Sequence, residues 1–302
     1  MHQVQKKKSK KRLPVLFILA SVVPAVALTI IFTVIPTIRA LYLSFTNATS
    51  LGTNAKFVFL ENYTYMFRDL AFLQALKNTA KLMIVVPIIT VFLAMILAFI
   101  ISQSKLREKG FYRTVLYFPN IVAMTVIGII WSFVFHPNMG IINSVLEVVG
   151  LSELARPWLG DRNTALWCIA LTLVWQATGY YMVMHIAAMD SISKEIYESA
   201  KLDGATFFQQ LFHITMPIIK ENLGITFVLA LSGTLNLSFT LSKVMTGGGP
   251  NGSSSVLLQY MYEQGMINGN FGYAMAITVF TLVISISLSM LSRKLTSEQN
   301  RG

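Results

Sequence analysis

The chain has 302 residues, 54% of them hydrophobic and 12% charged, with a mean hydropathy of +0.61. Soluble domains carry about twice that share of charge, so long apolar runs make an integral membrane protein the stronger reading over a soluble pair of domains. The net charge of +11 would suggest nucleic acid in a soluble protein, but here the cations gather in particular loops, as anchors against anionic lipid do. No nucleic-acid partner is expected.

The chain opens on a basic stretch (Lys6, Lys7, Lys8, Lys10, Lys11, Arg12) followed by an apolar run from Leu13 to about Leu43. A cleaved leader starts similarly, but its apolar core is about half that length or less, and no convincing small-residue cleavage site is found. The run is therefore expected to be a retained first span, at 16–43. Further apolar stretches of about 20 residues, long enough for the roughly 30 Å hydrocarbon layer, fall at 79–102, 114–135, 164–189, 223–242 and 271–291. The fold class predicted is an all-α integral membrane protein with six transmembrane helices and a cytoplasmic loop between helices 4 and 5. Cys168 is the single cysteine, so no internal disulfide forms.

Lys and Arg orient the spans. Six lie in the N-terminal tail, four in 102–113 (Lys105, Arg107, Lys109, Arg113), three in 190–222 (Lys194, Lys201, Lys220) and three in the C-terminal tail (Arg293, Lys294, Arg301). Placing these segments inside makes both termini cytoplasmic, and an even number of spans agrees, since it puts the two ends on one side. The expected organisation is a basic tail at 1–12, a six-helix transmembrane domain at 13–292 with its loop at 190–217, and a second tail at 293–302. The 13 acidic residues all fall in loops, tails or helix ends. An intramembrane carboxylate is the usual mark of a proton relay, so its absence argues against a proton-driven carrier. Sodium coupling through backbone carbonyls stays open.

The most informative segment follows the fourth span: SISKEIYESAKLDGATFFQQLFHITMPIIKEN. Ser193 is placed to cap a short helix, with Glu195 favoured by the helix dipole. Ile192, Ile196 and Ala200 recur at four-residue spacing as an apolar stripe, and Gly204 can end the helix by taking a positive φ. A second short amphipathic helix is predicted through Phe207, Phe208, Leu211 and Phe212 before Pro217. Two short helices joined at a glycine suit docking onto a partner, although an arbitrary loop of this kind more often lies in the membrane interface.

Glu198-Ser199-Ala200, followed by Gly204, Ile214, Met216 and Pro217, resembles at every interval the EAA loop of bacterial ABC importer permeases, and Leu202 to Ala205 extends the match. Ser199 replaces an alanine of that pattern, Met216 a leucine, and Glu221 a proline common in sugar permeases. FLENYTYMFRD with FLQALKNTA (59–80), YFPNIVAMTVIGIIWSFVFHPNMGIIN (117–143), WLGD (158–161) and TGGGPNGSS (246–254) carry the resemblance to sugar-importer permeases along nearly the whole chain. The acidic residue that many members carry near Ser255, and the acid beside Phe239, are missing.

The resemblance implies a permease subunit, not an enzyme, forming half of a translocation path for a sugar or oligosaccharide in the bacterial cell membrane. It implies four kinds of partner: a homologous second permease, two cytoplasmic ATPase subunits, an extracellular solute-binding protein and the surrounding membrane lipid. Glu198, Ala200, Asp203, Gly204, Ala205, Ile214 and Pro217 are then the ATPase-coupling residues, with Glu198 pairing to a basic residue of the ATPase and Gly204 permitting the bend between helices. No cofactor is expected on this chain. TGGGP lacks the Gly-Lys-Ser/Thr of a phosphate loop, and no Gly-Lys pair occurs anywhere, so ATP would be bound by the partner ATPase. His2, His136, His185 and His213 share no metal-ligand spacing; His136 reads as a turn residue and His185 as a packing residue.

Span four carries Gln176, Thr178, Tyr180 and Tyr181, and span five Ser232, Thr234, Asn236, Ser238 and Thr240. Each alone is more simply interhelical glue. Clustered on the two spans that flank the loop, they read as neutral donors, acceptors and aromatic faces along a sugar path. Asn236 leads the candidates, then Tyr181 and Gln176, with Tyr180 and Thr240 completing the set. Three alternatives stand beside this reading: a permease for another solute such as glycerol 3-phosphate or a polyamine, an ion-coupled carrier, and a membrane enzyme.

Overall fold

The structure, a computed structural model, describes residues 15–49, 55–104 and 107–297. The basic tail at 1–12, Lys105 and residues 298–302 of the C-terminal tail lie outside the described residues. Helix α1 (Val15–Thr29) continues through a π turn at Ile30–Val34 into α2 (Ile35–Leu43). None of the apolar window in Val22–Leu43 is buried. A helix apolar all round needs lipid or another chain to cover it, and α2, which ends at the buried Leu43, is the part that packs on α14.

Helix α3 (Glu61–Met66) leads into α4 (Leu70–Gln103), 34 residues long and so about 50 Å from end to end. It begins at Leu70 rather than at 79 as expected. Asp69 caps it by accepting the Ala71 N–H at 3.0 Å, and no Gly or Pro interrupts the chain before Pro87. The helix therefore outruns the hydrocarbon layer, and Lys77 and Lys81 ride on its first turns.

The expected continuous span at 114–135 is instead two helices, α5 (Lys109–Ile121) and α6 (Met124–Val134), bent by 99°. Val122 and Ala123 between them are extended, with ψ of 137° and 133°. Pro119, which has no N–H to give, weakens the ladder just before the break. Gly179 shows why α5 lies where it does: a Cβ there would come within 1.8 Å of the Leu116 carbonyl oxygen. Only glycine lets the two helices approach so closely.

Helix α7 (Ile141–Val148) and a short 3-10 turn precede α8 (Ala165–Met189). The loop after α8 holds α9 (Lys194–Leu202), α10 (Phe207–Gln209), a π turn at Gln210–Thr215 and α11 (Met216–Ile218). Then come α12 (Lys220–Leu241), prolonged by a π turn at Ser242–Thr246, α13 (Leu257–Tyr262) and α14 (Phe271–Ser297). Among the described residues, five helices are long and apolar enough to cross a membrane, or six with the bent pair as one span. The only β pairing among the described residues is an isolated bridge between Thr46 and Phe57.

Helices α4 and α8 form the central pair, with α5 and α12 laid against them. Their cores divide by depth. Ala94, Met95, Ala98, Phe99, Met182, Ile186 and Met189 pack at the loop end, while Leu82, Val86, Ile127, Leu166, Ile169, Leu173 and Leu241 pack towards the other. Tyr197 and Leu211 of the loop belong to the first of these cores, so the loop is an extension of the bundle.

Candidate functional site

Helix α9 forms as its sequence directs. The Ser193 side chain accepts the Glu195 N–H at 3.3 Å, and Gly204 ends the helix at φ +80°. Two backbone bonds close that end, Ala205 N–H to Ala200 C=O at 2.8 Å and Gly204 N–H to Lys201 C=O at 3.1 Å, the pairing that a left-handed glycine makes possible. Thr206 then opens the next helix through a capping box, donating its N–H to Gln209 Oε1 at 2.7 Å while its hydroxyl accepts the Gln209 N–H at 3.4 Å. Gln210 Nε2 ties back to the Ala205 carbonyl at 2.7 Å.

The buried face of α9 differs from the expected stripe. Ile192 is buried and Ala200 half-buried, but Ile196 is exposed, and the anchor is Tyr197 at 4% exposure. Tyr197 sits one residue past the four-residue register because its ring must reach Phe99 on α4, with centroids 6.2 Å apart. Its hydroxyl pairs with Thr215 Oγ1 at 2.9 Å. Burial raises the tyrosine pKa, and the Thr215 bond works against that rise. Leu211 is fully buried and Ile214 half-buried against the same core.

Around this anchored face the loop offers apolar side chains among charges of both signs, Lys194 and Lys201 beside Glu195, Glu198 and Asp203. Leu202 is 88% exposed and Phe208 64%. Phe208 stacks on Phe212 at 6.4 Å. Glu198, Asp203, Gly204 and Pro217 are exposed, and Ala205 is half-buried.

Deeper in the bundle, a cavity of about 190 Å³ opens between α4, α5, α8 and α12. Its polar lining is Thr90, Asn120, Gln176, Tyr180, Tyr181 and Thr234, with no charged group. Two of its buried atoms, Gln176 Oε1 and Thr90 Oγ1, have no hydrogen-bond partner. Leaving such an atom dry costs about 1–3 kcal/mol, so each calls for a polar partner from water or from a guest. The structure thus brings Gln176, Tyr180 and Tyr181 together and adds Thr90 and Asn120, which sequence reasoning does not single out. A lone threonine in an apolar run and an asparagine beside Pro119 are the available signals. Asn236 lies elsewhere: it is exposed, with Nδ2 on the Ser232 carbonyl of its own helix at 3.0 Å. Thr240 is half-buried and does not line the cavity.

Two of the histidines, His136 and His185, make structural hydrogen bonds. His136 Nδ1 accepts the N–H groups of Asn138 and Met139 at 3.3 and 3.2 Å, closing a turn. His185, fully buried on α8, pairs through Nδ1 with Asn222 Oδ1 on α12 at 2.8 Å. That bond joins the two helices that flank the loop.

At the opposite end of the bundle, Asp69 is a hub. Its Oδ2 accepts the hydroxyls of Tyr260 and of Tyr273, the latter at 2.7 Å, while Oδ1 caps α4. Burial first, and then the Asp69 carboxylate, push the Tyr260 pKa upward. Asn78 on α4 donates to the carbonyls of Gly252 and Ser255 at 3.0 and 2.9 Å.

Comparison with known proteins agrees with this architecture. Residues 90–297 match the family described as the inner membrane component of binding-protein-dependent transport systems. The probable ABC transporter permease YurN of Bacillus subtilis is 35% identical, across 94% of this chain and 96% of its own. The diacetylchitobiose uptake system permease NgcF of Streptomyces coelicolor is 32% identical, across 92% and 81%. A crystal structure of a bacterial alginate ABC transporter, in complex with its alginate pentasaccharide-bound periplasmic protein, contains a chain that superposes with a TM-score of 0.82. That chain is 20% identical, with 95% of this chain and 96% of that one covered, and it bears on the fold alone. With its bundle, its loop and these relatives in agreement, the chain belongs to the inner-membrane permease components of binding-protein-dependent ABC importers.

Proposed function

We propose that this permease forms half of the path by which an ATP-driven importer brings a neutral sugar or oligosaccharide into the cell, and that it has no enzymatic activity of its own. A homologous second permease supplies the other half of the path, two ATPases bind on the cytoplasmic side, and an external solute-binding protein delivers the ligand. Both termini are cytoplasmic, as the loop charges favour, and the 190–217 loop faces the ATPases. Glu198 supplies an ion pair that sets register on the ATPase, while Leu202 and Phe208 supply apolar contact.

The observation that carries the reading is the loop's dual character. Its outer face is exposed, with apolar and charged side chains of both signs, and its inner face, through Tyr197 and Leu211, is packed into the α4–α8 core. Force applied to the loop therefore reaches the helices that enclose the polar cavity, as rigid-body gating requires. The uncharged lining of that cavity favours a neutral polyol over an anion. A pull-down of the tagged chain, paired with uptake of labelled saccharides by cells, tests the assignment. The ATPase should copurify, uptake should stop on ATP depletion, and Glu198→Ala should lower both copurification and uptake while the chain still inserts. Uptake that survives ATP depletion without any bound ATPase would sink it.

A further inference from the structure

The TGGGPNGSS segment has a role that neither the loop nor the central cavity explains. Together with the first turns of α4 and with α13, it encloses a cavity of about 580 Å³ at the end of the bundle opposite α9. That volume falls within the roughly 300–1,000 Å³ of small-molecule sites.

Its walls are held by a dense set of hydrogen bonds. Ser242 Oγ donates to the Ser254 carbonyl at 2.6 Å, Ser254 Oγ to the Gly249 carbonyl at 2.6 Å, and Asn78 to Gly252 and Ser255. Leu257 N–H is held by Thr79 Oγ1 at 2.9 Å. Gly248, at φ +85°, packs so closely that a Cβ would meet Gln259 Nε2 at 2.7 Å. Two buried hydroxyls here, Ser253 Oγ in the segment and Ser255 Oγ just after it, have no partner, and of these residues only Ser255 lines the cavity. Ser255 is 8% exposed. Glu263 also faces the cavity, with Oε1 taken by Gln259 Nε2 at 2.9 Å. Gln74 and Asn251 add carboxamides, and no cation lines the wall among the described residues.

We infer that this cavity is a second, outer binding site for a neutral hydroxyl-rich ligand, a sugar or short oligosaccharide held at the mouth of the path before it reaches the central cavity. Sugar hydroxyls are donors and acceptors at once. They would donate hydrogen bonds to Glu263 and to the carboxamide oxygens and accept or donate one at Ser255. An anionic ligand meets the Glu263 carboxylate with no cation to offset it and is repelled. The inference rests on the proposed sugar-importer reading, from which both the ligand class and the outward direction of this end follow.

The test uses reporter cysteines in the full chain, in membrane vesicles with its partner subunits. Cys168 is buried and is replaced by Ala. Ala71→Cys reports on the outer cavity and Ala177→Cys on the central one. The probes are maltotriose, diacetylchitobiose and lactose, with glycerol 3-phosphate as the anionic control, and the readout is the rate of thiol modification. A neutral saccharide should slow modification at Ala71→Cys, and glycerol 3-phosphate should not. Ser255→Ala should weaken that protection about fivefold, as for one neutral hydrogen bond, and Glu263→Gln about tenfold or more, as for a charged one. Both should leave protection at Ala177→Cys unchanged. Protection at Ala177→Cys alone overturns the outer site and leaves the importer reading standing. Protection at neither reporter overturns both, and protection by glycerol 3-phosphate at Ala71→Cys overturns the ligand class.

Discussion

The two ends of the bundle are built on different principles. The α9–α11 end is attached by packing: Tyr197 and Leu211 enter the core while Leu202 and Phe208 stand in the open. The end around Gly247–Ser255 adds to an apolar cluster of Met66, Phe72, Leu257 and Ile277 a dense set of hydrogen bonds, with Asn78, Ser242, Ser254 and Asp69 each serving two or more partners. Packing contacts are non-directional and let a unit move as a body with its neighbours. A polar network fixes one geometry and loses much when a member is removed. The first end is thus suited to transmit a push, and the second to keep a shape.

Removing the packing anchor should have the largest effect. Tyr197→Ala vacates a buried ring and should lower stability by about 3–5 kcal/mol, the range for large aromatic truncations. Tyr197→Phe keeps the ring and loses the Thr215 bond, for about 1 kcal/mol. Thermal unfolding of the detergent-solubilised chain measures both, and equal losses would show that the hydroxyl, not packing, holds this end. The raised pKa of Tyr197 adds a pH signature. Folding favours the protonated phenol, so its contribution is complete below the ordinary tyrosine range near about 10 and is lost as pH climbs through the higher folded value. Tyr197→Phe should flatten that alkaline decline.

The polar end should respond next. Asn78→Ala strips the Gly252 and Ser255 carbonyls of the donor they share; the Gly252 carbonyl keeps the Ser255 N–H at 3.2 Å, so one acceptor is orphaned, at a cost of about 1–3 kcal/mol. Limited proteolysis of the 247–256 loop should speed up, while the α9–α11 segment should be cut at the unaltered rate. Equal acceleration at both ends would mean that they form one cooperative unit, with no division between a packed end and a bonded one.

Legibility in the sequence follows the same division. Ser193, Gly204 and Thr206 act through neighbours a few residues away, so the helices of the loop are visible in the sequence. Tyr197 is hidden, because its choice over Ile196 depends on Phe99 and Thr215, far along the chain. The 99° break in span three follows from Pro119 and the close approach at Gly179, and hydropathy alone passes over both. Asn78 pairs with residues more than 170 positions away, beyond any periodicity. In the central cavity, span position identifies Gln176, Tyr180 and Tyr181, but it does not tell the cavity face of α12 from the face that carries Asn236.

A smaller loss is expected at the joint between the loop helices. Gly204 stands at φ +80° with open space where a Cβ would go, so Gly204→Ala meets no clash and suffers only backbone strain, about 1 kcal/mol. If ATP-driven uptake needs the bend and not merely the fold, uptake should fall by more than the modest change in melting temperature accounts for. A matched fall in both would reduce Gly204 to a structural role.

The smallest change in stability should come from Leu202→Asp, and it separates docking from folding most cleanly. Leu202 is 88% exposed at the end of α9, so exchanging it removes almost no buried surface, and stability should stay within about 0.5 kcal/mol of the parent. An apolar side chain that open at the tip of an anchored helix makes almost no packing contribution to this chain. Against an ATPase surface it would be covered, and an aspartate in its place would be desolvated without a partner, at a cost of several kcal/mol. Copurification of the ATPase should therefore be lost while the melting temperature holds. If the ATPase still binds with full yield, the contact surface lies elsewhere on the loop, around Phe208 and Phe212, and α9 does no more than position it.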